Sequence, residues 1–182
     1  RIAAVPGVTR VAPLVRGQVL ISSRTGSTGV EVFGIAPENI ATLPGVADPE
    51  DSIGSLAAFP EGIALGSGVA RQIGVTVGDR VKITSPDGVK TAMGTSPRVN
   101  GYEVVYVFTA GRWDIDRTRI YMPFDEAQGF FNRDGAADEL EVMVSEPERV
   151  DTMTLPILQA AGDKALLWTW RDSSGSFLRA LE

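Results

Sequence analysis

Residues 75–85 read Val-Thr-Val-Gly-Asp-Arg-Val-Lys-Ile-Thr-Ser, and the prediction of the fold starts from this stretch. The Gly78-Asp79 pair predicts a tight turn, because glycine adopts backbone angles that other residues avoid and aspartate caps such turns. Val81 and Ile83 then alternate with polar residues, so both point to one face of the next strand. The stretch therefore indicates a strand that leaves a turn and buries one of its faces.

On both sides of this stretch, short strands and short helices are separated by turns rich in glycine and proline, which number 20 and 11. A polar connection at 44–55 predicts a boundary between lobes. Further strands are predicted at 8–23, 30–35, 61–65, 102–109, 117–122, 140–144 and 166–170. Helices are predicted at 1–5, 37–43, 67–73, 123–131 and 147–161, the last with a kink or break at Pro156. A further helix is predicted at the end of the chain around Phe177, Leu178 and Leu181.

The segment 86–97, Pro-Asp-Gly-Val-Lys-Thr-Ala-Met-Gly-Thr-Ser-Pro, interrupts the predicted sheet. Prolines bracket it, and the Asp-Gly pair within it is typical of a hairpin turn. It carries Val89 and Met93 within a region, 80–119, that has seven basic and four acidic side chains. A long hairpin that exposes methionine is a candidate partner surface, because methionine adapts to irregular apolar partners. The Gly, Ser and Thr content fits a disordered loop equally well.

Composition limits the chemistry that the 182-residue chain can perform. It has no His and no Cys, which excludes a Ser-His-Asp triad, a cysteine nucleophile, disulfides and structural zinc sites. Carboxylate chemistry, a hard-metal site or a non-catalytic role remain. The formal net charge of −6 argues against general nucleic-acid binding, which needs a positive stripe. Residues 120–182 carry five basic and twelve acidic side chains, so the basic region 80–119 is set in an acidic chain.

Two arrangements are candidates for catalysis. Asp114 and Asp116 would share one side of a strand, as the two carboxylates of a glycosidase share a cleft, or they lie in a polar loop where Asp116 pairs with a neighbouring arginine. Ser22 or Ser67 with Lys82 would form a Ser-Lys dyad, although no Ser-x-x-Lys spacing is present and ordinary surface serines explain the pattern. Calcium-loop and phosphate-loop motifs are absent from the sequence. We therefore expect no metal, no cofactor and no ATP hydrolysis in this chain.

The chain contains no apolar run that approaches the roughly 20 residues of a membrane helix. It also shows no signal-peptide pattern, and it begins with Arg1 rather than Met. We therefore expect it to be an excised part of a longer protein, with any membrane segment outside it.

Several motifs together resemble the periplasmic domain of lipoprotein-releasing (Lol-type) ABC transporter permeases, within the wider MacB-like periplasmic core group. The Gly-Asp stretch is shared by the wider group, whereas the Met-Gly loop and the late Trp-Arg-Asp are more specific. The matching stretches are 64–70 (ALGSGVA), 74–81 (GVTVGDRV), 85–98 (Ser-Pro through Met-Gly to Ser-Pro-Arg), 116–128, and 170–172 (Trp-Arg-Asp) followed by Phe177.

The resemblance implies an α+β fold with two lobes. A discontinuous, membrane-proximal α/β lobe would comprise 1–47 and 132–182, and an inserted β-rich lobe would comprise 48–131. In the family the hairpin that corresponds to 86–97 is a hook, which grips a soluble lipoprotein carrier chaperone. A neighbouring patch, the pad, contributes basic and amide side chains. The hook residues carried over are Pro86, Val89, Thr91, Met93, Gly94 and Pro97, and the pad residues are Lys82, Arg98 and Asn100.

The implied function is non-enzymatic. The domain would sit on the periplasmic face of the bacterial inner membrane, in a permease dimer that releases lipoproteins and hands them to the carrier, while a separate cytoplasmic ATPase subunit supplies the energy. The Met-Gly hook favours a carrier-binding permease or one that merges carrier and lipoprotein binding. The alternative is a MacB-like efflux or mechanotransmission domain that binds a periplasmic adaptor protein and lacks the hook.

Overall fold

The computed structural model describes residues 1–172. It confirms the α+β class and divides into two compact units, a smaller one formed by Arg1–Val11 with the described residues from Glu141 on, and a larger one formed by Ala12–Leu140. The strands are β1 (Val8–Ser22), β2 (Ser27–Ile35), β3 (Asp51–Gly54), β4 (Ile63–Gly66), β5 (Arg80–Thr91), β6 (Gly94–Thr109), β7 (Arg119–Pro123) and β8 (Glu139–Val144). The α-helices are α1 (Pro37–Ile40), α2 (Ser67–Ile73), α3 (Trp113–Asp116), α4 (Phe124–Phe130) and α5 (Thr154–Ala161), and 3₁₀ helices span Ile2–Ala4, Leu56–Glu61 and Pro147–Thr152.

Six strands of the larger unit pair into a closed ring. Around the ring they follow the order β1, β2, β7, β4, β6 and β5, and β5 pairs with β1 to close it. The β2–β7 and β4–β6 pairs are parallel, and the other four pairs are antiparallel. Closure gives each of these strands two neighbours, so that the backbone polar groups of the ring are largely satisfied by the ladder.

Apolar side chains fill the interior of the ring, because alternate residues of each strand point inward. Ile21, Ile83 and Ile120 are fully buried there, and Val81 beside Ile83 confirms the predicted buried face of β5. The helices α2 and α4 add Val69, Ile73, Ala127 and Phe130 to the same core. Removing these side chains from water is the main source of stability for this unit.

The turn predicted at Gly78-Asp79 is confirmed. Gly78 has a φ of 95°, which favours glycine, and a carboxylate oxygen of Asp79 accepts a hydrogen bond from the amide of Thr76 at 2.9 Å. The predicted end of α2 is confirmed as well, since Gly74 is its left-handed C-cap with a φ of 70°. The Gly74 C-cap and the Gly78-Asp79 turn thus fix the point at which β5 begins.

The smaller unit joins the start of the chain to the end of β8 and the residues that follow it. The amide of Ser145 donates to the carbonyl oxygen of Gly7 at 2.9 Å, and Arg10 forms an ion pair with Glu141. Among the described residues 1–172, no helix is both long and apolar enough to cross a bilayer. The final helix predicted around Phe177 lies outside the described residues.

Four predictions about local structure were wrong. Segment 86–97 does not interrupt the sheet but forms the distal half of the β5–β6 hairpin. Residues 166–170 form no strand, because they pair with no other strand of the described chain. The helical stretch 147–161 breaks at Met153, before Pro156, because Pro156 lies in the first turn of α5, where proline needs no amide partner. Residues 113–116 form a helical turn rather than a strand.

The two compact units have other boundaries than the predicted lobes. Residues 12–47 and 132–140 were predicted to belong to the membrane-proximal lobe, but they are part of the larger compact unit. The reason is the ring itself, because β1 and β2 pair with β5 and β7 and so cannot separate from residues 48–131.

Candidate partner-docking site

The antiparallel strands β5 and β6 form one long two-stranded ribbon, which carries the candidate site. Its base is part of the ring, where β5 pairs with β1 and β6 pairs with β4. Its distal half, residues 86–97, is the predicted hook. Here the two strands pair only with each other among the described residues. The outer edges of the hook therefore leave backbone groups available to solvent or to a partner strand.

A bulge separates the hook from the base of the ribbon. Ser85 lies opposite Arg98 and Val89 lies opposite Ser96, so the three residues 86–88 face only Pro97. Proline has no amide hydrogen to donate to the ladder, and extra residues on one strand bend it. The bracketing prolines that the sequence showed therefore mark a bend in a continuous ribbon, and the Asp-Gly pair lies in the bulge rather than in the hairpin turn.

The tip of the hook is a tight turn at residues 92–93. Gly94 follows it with a φ of 119°, and the Thr91 hydroxyl donates to the carbonyl oxygen of Gly94 at 2.7 Å. Met93 is 100% exposed, which is unusual for a large apolar side chain. Of the other hook residues, Pro86, Val89, Thr91 and Pro97 are also exposed. The structure thus gathers the predicted hook residues on one projecting hairpin.

The three predicted pad residues do not share a surface. Lys82 lies opposite Gly101 on the outer face of the ribbon and is exposed. Asn100 lies opposite the buried Ile83, and Arg98 follows the same alternation, so both belong to the other face. Only Lys82 therefore has the open position that the pad prediction requires.

Arg98 and Asn100 are occupied by internal hydrogen bonds. The guanidinium of Arg98 donates to the carbonyl oxygen of Gly129 at 2.6 Å and to the side-chain oxygen of Asn132 at 3.0 Å. The amide of Asn100 donates to the hydroxyl of Tyr102 at 3.2 Å. Arg98 thus ties the ribbon to α4 and to Asn132 beyond it, whereas the hydrogen bond of Asn100 stays within β6.

Tyr102 links Asn100 to α4. Its hydroxyl donates to Oε1 of Glu126 at 2.7 Å. Burial, and then the hydrogen bond to Glu126, raise the pKa of Tyr102 well above its usual value, so the hydroxyl remains a donor at any working pH.

An apolar row on the outer face beside Lys82 was missed in the sequence. Leu20 lies opposite Thr84, and Thr84 lies opposite Val99, so the three side chains form a line across β1, β5 and β6. Leu20 is 45% exposed and Val99 is 52% exposed. The alternation of Leu20 with Ile21 in the sequence indicates that the two side chains face opposite sides of β1. The sequence does not show the strand register that brings Leu20 into line with Val99.

Three basic residues of the region 80–119 are open to solvent on the ribbon. Arg80, Lys82 and Lys90 are exposed, and none forms a salt bridge with any described residue. The acidic side chains of the ribbon are Asp87 and Glu103. The ribbon therefore offers unpaired positive charge beside exposed apolar groups.

The carboxylates considered for catalysis have separate structural roles. Asp116 is buried, and its two side-chain oxygens accept from the amides of Ala110 at 2.7 Å and Gly111 at 3.1 Å. Asp114 is exposed and pairs with Arg112 at 2.9 Å. The arginine partner expected for Asp116 is thus replaced by backbone amides, and the two carboxylates do not face a common cleft.

The other chemical candidates lack the contacts that they need. Ser22 lies opposite Lys82 in the β1–β5 register, but no hydrogen bond joins their side chains, and Ser67 begins α2 on another element. Within residues 1–172, acidic side chains form no cluster of three that could hold a metal ion. A cavity of about 260 Å³ lined by Ile53 and Arg71 is smaller than usual ligand pockets.

The fold and the projecting hairpin define a class of protein. Residues 1–155 match the model of the MacB-like periplasmic core domain, and the chain belongs to this family. A solved structure with a similar fold is the extracellular domain of the noncanonical ABC-type transporter YknZ from Gram-positive bacteria, with a TM-score of 0.52 at 16% identity, which covers 83% of this chain and 73% of that one.

Two curated relatives are more specific. The chain is 25% identical over 179 residues to the lipoprotein-releasing system transmembrane protein LolC of Neisseria meningitidis serogroup B, which covers 97% of this chain and 43% of that protein. It is 29% identical over 133 residues to LolC of Xylella fastidiosa strain Temecula1, which covers 71% of this chain and 32% of that protein. The chain thus spans less than half the length of these relatives, and its predicted resemblance to Lol-type permeases is confirmed.

Proposed function

We propose that this chain is the non-catalytic periplasmic domain of an ABC transporter permease, which releases lipoproteins from the inner membrane and passes them to a carrier chaperone docked on the hook. The observation that carries the proposal is the fully exposed Met93 at the tip of a hairpin built into the ring. A fully exposed methionine adds no stability to the domain that carries it. Burial of the same side chain in a pocket of a partner would stabilise the complex, because apolar surface would leave water.

The contact that we propose has two parts. The hook supplies Met93 and Val89, which fit an apolar pocket of variable shape, and its free strand edges add backbone donors and acceptors. The outer face of the ribbon supplies Lys82 beside Leu20 and Val99, which suits a carrier surface with an acidic rim around an apolar centre. We exclude Arg98 and Asn100 from this surface, since their side chains are engaged elsewhere.

The rest of the proposed assembly rests on the resemblance to Lol-type permeases and on the LolC relatives. The smaller compact unit, which begins with Arg1–Val11 and resumes at Glu141, would lie near the membrane. The lipoprotein substrate would enter from the inner membrane, and a second permease subunit would complete a dimer. A cytoplasmic ATPase subunit would hydrolyse ATP. We expect this domain itself to hold neither a metal nor a cofactor.

The test is a titration of a purified periplasmic lipoprotein carrier against the wild-type domain and Met93→Asp. A charge at the tip would have to be desolvated in the carrier pocket, so we expect the variant to lose binding by at least about thirtyfold. Ile53→Asp is the matched control, because Ile53 is also exposed but lies on β3. Equal affinity of Met93→Asp and wild type would contradict the proposed site.

The alternative function, an efflux permease domain that binds a periplasmic adaptor, is favoured by the family match, which the wider MacB-like group shares. The same titration with an adaptor protein separates the two. Binding of the adaptor but not of the carrier would replace the first proposal with the second.

A further inference from the structure

A set of four residues ties the base of the hook to the end of α4, and we call this set the latch: Gly88, Arg98, Gly129 and Asn132. Arg98 donates to the carbonyl oxygen of Gly129 and to Oδ1 of Asn132 at 2.6 and 3.0 Å. The side-chain amide of Asn132 donates to the carbonyl oxygen of Gly88 at 2.8 Å. Both strands of the ribbon are thus held to one point at the bulge.

The fixed end of the latch is anchored in the core. Asn132 follows Phe131, which is buried and contacts Phe130 edge-on with ring centroids 5.0 Å apart. Asn132 itself has a φ of 56°, a left-handed conformation that asparagine tolerates better than most residues. The arginine charge also lies at the carboxyl end of α4, where the helix dipole is negative. The core therefore dictates where the amide of Asn132 points.

The movable end of the latch lies in the bulge. Gly88 is buried there, and a Cβ at this position would come within 2.2 Å of the Arg98 amide nitrogen and 2.4 Å of the Ser96 carbonyl oxygen. The ladder is interrupted between Ser85 and Val89, so ladder hydrogen bonds do not set the angle between hook and base. The bonds from Asn132 and Arg98 cross this gap.

We propose that the latch fixes the angle of the hook and so presents its tip in the orientation that the partner binds. Arg98 and Asn132 are then positioning residues rather than partner contacts. This inference rests on the proposed function of the hook. Its physical basis is preorganisation, because a hairpin held in one orientation loses less conformational freedom on binding.

The first experiment measures the hook without any partner. The chain has no Cys, so Thr95→Cys on the hook and Glu61→Cys on the body accept spin labels at these two positions alone. Pulsed dipolar spectroscopy then gives the distribution of distances between them. We expect one narrow distribution in the wild-type background and a broad one with Arg98→Ala. Arg24→Ala, an exposed arginine outside the latch, should leave the distribution narrow. An unchanged narrow distribution with Arg98→Ala would overturn the latch.

Two variants at Asn132 separate its hydrogen bonds from its backbone conformation. Asn132→Asp keeps the acceptor for Arg98 but places an oxygen against the Gly88 carbonyl, and Asn132→Gly keeps the positive φ while removing both side-chain bonds. We expect both to broaden the distribution with little change in melting temperature. A narrow distribution with both variants would show that Asn132 does not hold the hook.

The second experiment measures carrier affinity. If loss of the latch leaves the hook correctly oriented about a tenth of the time, the affinity falls about tenfold with Arg98→Ala or Asn132→Asp. Unchanged affinity despite a broad distribution would overturn the role in docking, and weaker affinity with a narrow distribution would make Arg98 a direct contact. If the wild type binds no carrier, the proposed function fails, while the distance measurement still decides the latch.

Discussion

The two halves of the β5–β6 ribbon have the same secondary structure but opposite surroundings. In the base, Val81 and Ile83 are buried and the strands have neighbours on both sides. In the hook, Val89 and Met93 are exposed and the strands have only each other. We therefore expect the base to contribute most of the ribbon's share of the folding free energy. The hook should add little to stability, and its exposed side chains remain available to a partner. A substitution in one half should leave the property of the other half unchanged.

The largest expected effect contrasts Ile83→Ala in the base with Val89→Ala in the hook. The first leaves a cavity in the ring and should lower the free energy of unfolding by about 2–5 kcal/mol. The second removes exposed methyl groups from the same strand and should change it by less than about 0.5 kcal/mol. Chemical denaturation of both variants gives the comparison, and equal losses would show that the hook is part of the cooperative core.

The next effect concerns the point where β6 leaves the ring. Asp116→Ala would strand the amides of Ala110 and Gly111, which follow the end of β6, and should cost about 2–3 kcal/mol of unfolding free energy. Asp116→Asn, which retains one acceptor, should cost less. Carrier affinity measured below the melting temperature should be unchanged in both variants. A loss of carrier affinity without a matching loss of stability would show that Asp116 affects the docking site. The base and the hook of the ribbon would then not be independent.

A smaller effect is expected where the two halves meet. Gly88→Ala places a Cβ against the backbone of β6 and should misorient the hook, with a loss of carrier affinity on the order of tenfold. The thermal midpoint should change little, because the core lies on the other side of the bulge. Gly29→Ala is the control, since a Cβ there meets nothing within 4 Å. Unaltered affinity of Gly88→Ala would indicate that hook orientation does not matter.

The smallest effect should come from the outer face of the base. Lys82→Glu reverses an exposed charge, so we expect a loss of carrier affinity of about two- to fivefold and a weaker dependence of the association rate on salt. Stability should stay within about 0.5 kcal/mol of wild type. Arg24→Glu makes the same charge change outside the ribbon. If both charge reversals changed the association rate equally, the effect of Lys82 would come from the net charge of the domain, and Lys82 would not be a pad residue.

Local chemistry in the sequence predicted much of the fold. Gly78 with Asp79, the alternation of Val81 with Ile83, and the glycine after α2 each act within a few residues. The motifs of the hook also stand in the sequence, and the structure shows a projecting hairpin there. Short-range signals of this kind can be read without knowing what packs against them.

Contacts between distant segments could not be read in the same way. The parallel pairing of β4 with β6 and the closure of β5 on β1 depend on register, which no local pattern fixes. Asn132 is 44 residues from Gly88 and 34 from Arg98 along the chain, so the latch had no local signature. The family resemblance implies a pad position for Arg98, whereas the bulge and the alternation of β6 place it on the opposite face from Lys82.

The most direct test of the account is site-specific photo-crosslinking in the full-length permease within cells. A photoreactive side chain placed at Met93 should form a crosslink to the periplasmic lipoprotein carrier, identified by mass spectrometry, because the tip is the part of the hook that we expect the carrier to bury. The same side chain placed at Ile53, which is also exposed, should form none. A crosslink to the carrier from position 53 but not from position 93 would contradict the account.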